Sequence, residues 1–561
     1  MKYQLIGENN YNLDPIGTIL KNRKTDRTIF ELDESVTHSH NLLNNIQEGI
    51  DCLIKHNQLE SETFIQIDGD TDGITSSTIL IQYLKKVFPK LKVRWALHDG
   101  KEHGVIIDKI NKETKLLILP DSGSNQYEEH KKLKSMGIDV LVIDHHECES
   151  ESKDAIVINN QLSPEYPNKN FSGAGIVYKF CKAIDERFKL DYADEYLDLV
   201  SIGNIGDMMD LREPETRYYV KQGLLKIKNP FINNLILKQD YSMKGVVNIT
   251  NISFYITPLI NAAVRASSME EKIDMMKSFL GSNEEVYYKK NDVYETIQTA
   301  TARKLGNTRS RQNRLRDKGV EQIELQISDK KLYENKILII DVTSILDKNL
   351  TGLVANQIAK KYKRPVLLLR EKKAGIYGGS ARGYENGYVK DFKTFLLNTD
   401  KFILCEGHKN AFGVEIKKEN LDGLNTTLND LLIDYSINED IHMVDFIVPE
   451  EDVISDLVLE IGGYCDEWGS TVEEPQLIFH RVEIPHESIS IVGKKSKTYK
   501  IKYNDLEFVK FYYKDEFAEV INDGVSYIVD ILGKCKINHW DNKKIPQIEI
   551  LDLKLIDTLY F

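Results

Sequence analysis

Cysteine is sparse in this chain. The six residues, at positions 52, 148, 181, 405, 465 and 535, lie far apart, and none forms a Cys-x-x-Cys pair. That excludes a disulfide framework and a zinc ribbon and leaves reduced, buried thiols as the simplest state. Long apolar runs are missing as well. No stretch reaches the roughly 18 residues that a membrane-crossing helix needs. The opening Met1-Lys2-Tyr3-Gln4 leads into no apolar stretch of signal-peptide length, so the expected location is the cytoplasm. A basic surplus is also absent. Net charge is −13 over 561 residues, which argues against a nonspecific nucleic-acid coat but leaves room for a local basic groove. Clustered carboxylates add to the negative count, and bound divalent ions would neutralise part of it. There is no internal repeat and no low-complexity tail. What remains, 41% apolar and 29% charged residues, is the composition of a soluble globular protein. The length is too great for one core and predicts about three or four domains.

Along the chain, residues 1–60 form a mixed lead-in closing on an amphipathic helix near 39–56. Residues 64–67, 116–119 and 140–143 are short apolar strands with helical stretches between them, including 75–87. Strand and helix in this rhythm predict a parallel α/β sheet, over residues 61–230. Residues 231–330 read as a long helical connector, charged and helix-rich from about 270. A second α/β unit follows over 331–435, with strands near 336–340 and 365–369 and a helix over 354–362. Residues 436–561 alternate in period two, as in Thr498-Tyr499-Lys500-Ile501-Lys502-Tyr503, and predict a small β-barrel of OB type.

Three of the strands end in acids: Asp68, Asp121 and Asp144. Ligands of open α/β sheets sit at the carboxyl ends of the strands, so three independent strands aim carboxylates at one edge. In Asp68-Gly69-Asp70-Thr71-Asp72 the acids alternate with small residues. Three acids so close repel one another unless cations lie among them, and hard oxygen ligands suit Mg²⁺ or Mn²⁺. A calcium loop would need Glu at its twelfth position, which is Ile79 here. Asp121 taken alone reads as a helix N-cap. Asp144-His145-His146 pairs two histidines with a strand-end acid, and imidazole favours Mn²⁺, Zn²⁺ or Fe²⁺ over Mg²⁺. Asp207, in Ile205-Gly206-Asp207-Met208-Met209-Asp210, is weak in isolation. As a set these residues are what two metals bridged by a carboxylate require, a pair that activates water and stabilises the leaving oxygen of an in-line displacement.

The four segments resemble the motifs of the DHH phosphoesterases, and finer features resemble the RecJ branch, single-strand-DNA exonucleases. Ile158-Asn159-Asn160 through Tyr166-Pro167 and Phe171-Ser172-Gly173-Ala174-Gly175 resemble the stretch after its Asp-His-His. Pro258 to Arg265 is similar to its proline-to-arginine stretch. Gly352-Leu353-Val354-Ala355 and Arg364-Pro365-Val366 look like the start of the DHH-associated domain. Gly379-Ser380-Ala381-Arg382 and Gly407-His408-Lys409-Asn410-Ala411-Phe412-Gly413 look like its substrate-facing motifs, and residues 536–550 like the end of the RecJ OB-fold.

The resemblance implies that Asp70 and Asp121, with Asp68 completing or orienting the site, hold one divalent ion. Asp72, Asp121, His145 and Asp207 hold the other, with Mn²⁺ preferred and Mg²⁺ the alternative. It makes Asp144 the acceptor that fixes His145 and turns His146 toward the scissile phosphate. It assigns Arg265, Ser380, Arg382 and His408 to substrate phosphates, and arginine's fork matches phosphate oxygens bidentately. The family's arginine before a Gly-Tyr-Gly step is missing from His98-Asp99-Gly100-Lys101-Glu102-His103, which leaves Lys101 or His103 as the substitute.

The implied activity is 5′ to 3′ release of mononucleotides from single-stranded DNA, in DNA repair, recombination or phage DNA metabolism. The implied partners are single-stranded DNA and a single-strand-binding protein or helicase, with no membrane. In the C-terminal segment Tyr499, Tyr503, Phe508, Phe511, Tyr512, Tyr513 and Trp540 interleave with Lys494, Lys495, Lys497, Lys500, Lys502 and Lys510. Aromatic platforms with lysines suit single-strand binding; each aromatic taken singly reads as core. Two rivals are a DHH phosphodiesterase for oligoribonucleotides or cyclic dinucleotides, which usually lacks the barrel, and a non-catalytic replication scaffold, which would not need every ligand position kept. An inorganic pyrophosphatase would not need the long second half.

Overall fold

The computed structural model describes the chain apart from residues 99–103, 385–386, 388, 436–440, 494–497, 512–524, 541–542 and 561 and the side chain of Trp540. Two compact units result. One comprises residues 28–312 and 466–473; the other comprises 1–27, 313–465 and 474–561. The stretch 1–60 is thus divided between them near Arg27.

The first unit is built on a five-stranded parallel sheet in the order Lys92–Leu97, Glu62–Ile67, Thr114–Pro120, Asp139–Asp144, Ile156–Asn159. Its central strands are continuous apolar runs, and Leu116 through Leu119 are wholly buried, as a sheet covered on both faces demands. The helices Thr71–Val87, Gly173–Phe188 and Leu197–Gly206 pack against one another beside the strand ends. The first of these begins four residues earlier than its apolar pattern suggests. Asp70 caps it, its Oδ1 accepting the Gly73 N–H at 2.9 Å, and Asp72 in the first turn favours the helix dipole. The amphipathic helix expected near 39–56 is displaced to Ile46–Gln58, after a short 3₁₀ turn at His40–Leu42.

The stretch 270–330 is not helical throughout. The helix Met269–Phe279 is followed by an antiparallel hairpin, Glu285–Tyr288 with Val293–Thr296, before the 33-residue helix Ile297–Asp329. Tyr287 pairs with Tyr294 across the hairpin and Asp292 takes a left-handed φ of 54° in its turn. Cross-strand aromatic contact there outweighs the helix-favouring charges around it.

The second unit holds two sheets. Leu338–Asp341, Val366–Lys373, Ile376–Arg382, Ala411–Lys417 and Phe402–His408 form a five-stranded mixed sheet. Leu338, Ile340, Val366 and Leu368 pack under the helix Thr351–Tyr362 and the end of the long helix, while Phe392, Leu396, Leu424 and Leu428 fill the other face. The C-terminal residues form a seven-stranded sheet. It is dominated by the pair Ser526–Trp540 and Lys543–Leu559, of 15 and 17 residues. The N-terminal strand Lys2–Leu5 pairs in parallel with Ile441–Val444.

Tyr499 and Phe508 are core residues of the seven-stranded sheet and Phe511 is exposed. Of the described lysines, Lys500 pairs with Glu507 at 2.6 Å and Lys510 bonds the Leu551 carbonyl. Lys494, Lys495, Lys497, Tyr512 and Tyr513 lie outside the described residues. No helix among the described residues is long and apolar enough to cross a membrane.

Candidate metal centre

The parallel sheet brings its acids together at the carboxyl edge. Asp68 ends the run from strand Glu62–Ile67, Asp70 caps the next helix and Asp72 lies in that helix's first turn. Asp121 follows Thr114–Pro120 at a φ of 63°, and its N–H donates to the Ile143 carbonyl at 2.8 Å. That left-handed turn, which aspartate tolerates, replaces the helix cap that the residue alone suggests; the next helix is capped at Gln126. Asp207 is the C-cap residue of Leu197–Gly206.

Asp68, Asp70 and Asp121 each offer a ligand atom within 4.8 Å of the others, and so do Asp72, His145 and Asp207. His145 joins the two groups. Its Nε2 stands 3.2 Å from Asp121 Oδ1, 3.4 Å from Asp207 Oδ2 and 3.8 Å from Asp72 Oδ2. The Asp72 carboxylate is anchored by the first two amides of the helix Gly173–Phe188, Gly173 at 2.6 Å and Ala174 at 3.0 Å.

Glycine is a steric requirement here. A Cβ at Gly203 would stand 2.4 Å from Asp72 Oδ1, and one at Gly173 2.4 Å from Asp121 Oδ1.

Asp144 does something other than expected. Its Oδ1 accepts from His146 Nδ1 at 2.8 Å, and it meets His145 through that residue's backbone N–H at 2.7 Å. The ring it orients is therefore that of His146, whose side chain is half exposed. Burial opposes charge on Asp144, but His146, His145 and Ser124 hold its carboxyl well below the usual range. Burial likewise works against the His146 imidazolium, yet Asp144, with Asp207 and Asp68 behind it, raises its pKa to about 10.

Three acids go the opposite way. Burial and Asp70 raise Asp72 to about 6. Burial and the surrounding carboxylates push Asp121 and Asp207 well above the ordinary range. A buried cluster of mutually repelling carboxylates with one imidazole is stable in its charged form only with compensating positive charge. The donor set, mostly carboxylate oxygen, fits a hard divalent cation.

Several residues outside the acidic and histidine motifs shape the centre. Thr471 accepts the Leu211 N–H at 2.7 Å and donates to the Met209 carbonyl at 3.2 Å, bracing the turn that carries Asp207. Asn159 Nδ2 donates to the His146 carbonyl at 3.0 Å and Gln161 Nε2 to the His145 carbonyl at 3.2 Å. Both lie in the stretch that follows Asp144-His145-His146 and tie its backbone to the next loop.

Comparison with known proteins gives the arrangement a context. The DHH family, N-terminal domain, matches residues 62–204 and the RecJ OB domain matches residues 444–552. A Bacillus subtilis (strain 168) protein, bearing a name as an SPbeta prophage-derived single-strand DNA-specific exonuclease, YorK, is 47% identical over 100% of this chain and 99% of its own. The chain belongs to the RecJ family of DHH proteins. The single-stranded-DNA-specific exonuclease RecJ of Bacillus subtilis is 25% identical over 92% of this chain and 64% of its own length. The crystal structure of RecJ in complex with Mn²⁺ from Thermus thermophilus shares the fold. Its TM-score is 0.72, at 18% identity, over 92% of this chain and 72% of that one.

The remaining residues singled out for the RecJ family lie in two places. Arg265 closes the helix Thr257–Ala266 in the same unit as the acids. Burial lowers its pKa and Asp70 raises it; it makes no hydrogen bond or ion pair with a described residue. Lys101 and His103 fall outside the described residues. Arg382 and His408 both pair with Ala411 from opposite sides, and Ser380 is two residues from Arg382. Directly paired residues share a face, so Ser380, Arg382 and His408 project from one side of the mixed sheet. That side meets the start of the helix Thr351–Tyr362: Arg382 Nη2 would lie 2.6 Å from a Cβ on Gly352.

Proposed function

We propose that this chain is a two-metal exonuclease that hydrolyses single-stranded DNA from 5′ to 3′ and releases mononucleotides. The observation that carries this reading is the place of Asp121, within ligand distance of Asp68 and Asp70 on one side and of His145 on the other. One carboxylate shared in this way is what two adjacent cations need. Asp68, Asp70 and Asp121 would hold one ion; Asp72, Asp121, His145 and Asp207 would hold the other. The imidazole favours Mn²⁺, with Mg²⁺ the alternative. When bound, such a pair lowers the pKa of water and offsets charge on the phosphoryl oxygens.

The chain's own residues supply the rest. His146, oriented by Asp144, keeps its proton at neutral pH and presents Nε2 as a donor to a phosphate oxygen. Arg265, with no anion of a described residue bonded to it, offers its fork to a phosphate near Asp70. Ser380, Arg382 and His408, beside a helix N-terminus, form a second anion-binding face suited to the DNA backbone. The C-terminal sheet would add grip on the strand. The 47% identity to YorK along the whole chain and the RecJ OB domain match favour DNA as substrate. Such an enzyme works in the cytoplasm, on ends exposed by a helicase or kept open by a single-strand-binding protein.

The test uses strands labelled at either end, single and double, with Mn²⁺. Mononucleotides released from the 5′ end of single strands are expected. Release confined to duplex, to oligoribonucleotides or to cyclic dinucleotides would refute the assignment, and so would no release at all.

A further inference from the structure

The strand Asp139–Asp144 carries ligand atoms at both ends. Asp144 closes it at the acid cluster. Asp139 opens it roughly 16 Å away, at about 3.3 Å per residue. At that far end Cys52, His56 and Asp139 each offer a ligand atom, and the three atoms lie within 4.8 Å of one another. Cys52 and His56 stand four residues apart on the helix Ile46–Gln58 and so share a face.

The surroundings are those of a metal ligand set. His56 Nδ1 lies 2.9 Å from Ser61 Oγ, and its Nε2 2.9 Å from Asp139 Oδ2. The hydrogen bond to Ser61 on Nδ1 fixes the imidazole, and Nε2, which meets Asp139 in the ion's absence, is the nitrogen placed to ligate. The Cys52 thiol is 7% exposed and makes no hydrogen bond with a described residue. A purely structural account ties the helix to the strands through Ser61, His56 and Asp139, but it gives the buried sulfur no role. Tetrahedral zinc, with bonds of about 2.0–2.3 Å, would draw the ligand atoms to roughly 3.3–3.8 Å apart, a change within reach of side-chain rotation.

We propose that Cys52, His56 and Asp139 form a binding site for a zinc-class divalent cation. A water from the adjoining pocket is its fourth ligand. That pocket, of about 480 Å³, is lined by His56, Ser61, Glu62 and Asp139 among others. Sulfur, nitrogen and oxygen donors together select a softer ion than the carboxylates of the other centre do. Lys55, whose Nζ is 2.6 Å from Asp139 Oδ2, holds the acid in the ion's absence and swings into solvent when the ion binds. Burial raises the Cys52 thiol to about 11, with Asp139 adding to the rise and Lys55 opposing it. Metal binding therefore releases the thiol proton.

The full chain, stripped with a chelator and titrated with Co²⁺, tests this. A thiolate-to-cobalt charge-transfer band in the near ultraviolet is expected. It should survive in Asp121→Asn and Cys148→Ser and vanish in Cys52→Ser. Circular dichroism and Mn²⁺-dependent hydrolysis, both unchanged in Cys52→Ser, would show that the variant is folded. Should it not fold, Asp139→Asn is the second probe, with the band requiring ten- to a hundredfold more Co²⁺. No band in the parent chain, a band that persists in Cys52→Ser, or an unchanged titration in Asp139→Asn overturns the proposal.

Discussion

Asp144 Oδ1 lies 2.8 Å from His146 Nδ1, and the same oxygen accepts the backbone N–H groups of His145 and His146. One buried carboxylate thus shapes the turn and keeps one imidazole charged. Because the folded-state pKa of His146 is raised to about 10, the imidazolium persists through neutrality and disappears as pH rises through about 10; the stability it contributes is complete below the ordinary value of about 6.5 and is lost over the same rise. Asp144→Asn removes the main partner charge, so the pKa of His146 should fall toward neutrality. Hydrolysis by the variant should fall as pH rises through neutrality, where the parent enzyme remains active. Superimposable alkaline limbs in the two pH profiles would show that His146 is not the proton-bearing group.

Asp121 is strongly disfavoured as a carboxylate in an empty centre. Four carboxylates and burial all act against its charge. Asp121→Asn should abolish hydrolysis while raising the melting temperature of the metal-free protein, since it relieves repulsion that nothing else offsets. The parent chain should gain about 2.7 kcal/mol from Mn²⁺ at a hundred times its dissociation constant, and the variant much less. Differential scanning calorimetry with and without Mn²⁺ reads both effects. A metal-free variant less stable than the parent would contradict the electrostatic argument.

Gly203→Ala sets two effects against each other. In an ordinary helix interior alanine gains about 1 kcal/mol over glycine. Here the new Cβ would meet Asp72 Oδ1 at 2.4 Å and the Ala174 Cβ at 2.6 Å. Overpacking of this kind costs typically 1–3 kcal/mol, so the variant should be less stable and bind metal more weakly. Denaturant titration gives the sign: stabilisation would mean that the helix moves away freely.

How far the sequence discloses this depends on how local each feature is. Asp68, Asp121 and Asp144 are legible because each ends an apolar strand, and strand ends of a parallel sheet converge whatever the rest of the chain does. The start of the helix at Thr71 is obscured because its first turn, Thr71-Asp72-Gly73, has loop composition, and only the Asp70 cap rescues it. The hairpin 285–296 is hidden by charged residues that read equally well as helix. The exchange of His145 for His146 as the partner of Asp144 turns on a rotamer, which no spacing encodes. The shared face of Arg382 and His408 depends on strand register, which appears only once Ala411 is paired with both.

That register makes a prediction of its own. Ser380, Arg382 and His408 lie on the face beside the start of the helix Thr351–Tyr362, an arrangement that suits backbone phosphate. Arg382→Ala should raise KM for single-stranded DNA ten- to a hundredfold, in line with the loss of a charge-assisted hydrogen bond of about 1.5–3 kcal/mol. It should also flatten the salt dependence of binding by about one phosphate contact. The maximal rate should change little. Arg382→Lys should recover only part of the affinity, because a point charge cannot reproduce the fork. A fall in rate at unchanged KM would place Arg382 in the chemistry instead.

Thr471 tests whether support from a distant part of the chain matters to the metal centre. It is 260 residues from Leu211, whose N–H it accepts, and it also donates to the Met209 carbonyl. Met208, between these contacts and Asp207, already holds a left-handed φ of 58°. Valine at 471 would keep the shape but remove both hydrogen bonds, leaving an amide and a carbonyl of the turn unpaired at about 1–3 kcal/mol. The turn should relax and carry Asp207 away from His145. Only the ion on that side would be weakened, because Asp68 and Asp70 are anchored by a different strand and helix. Thr471→Val should therefore demand ten- to a hundredfold more Mn²⁺ for half-maximal rate, with KM for DNA unchanged at saturating metal. Thr471→Ser, which keeps the hydroxyl, should restore the parent's metal requirement. A loss of activity that excess Mn²⁺ cannot rescue would mean that the brace serves the fold of the turn and not the position of its acid.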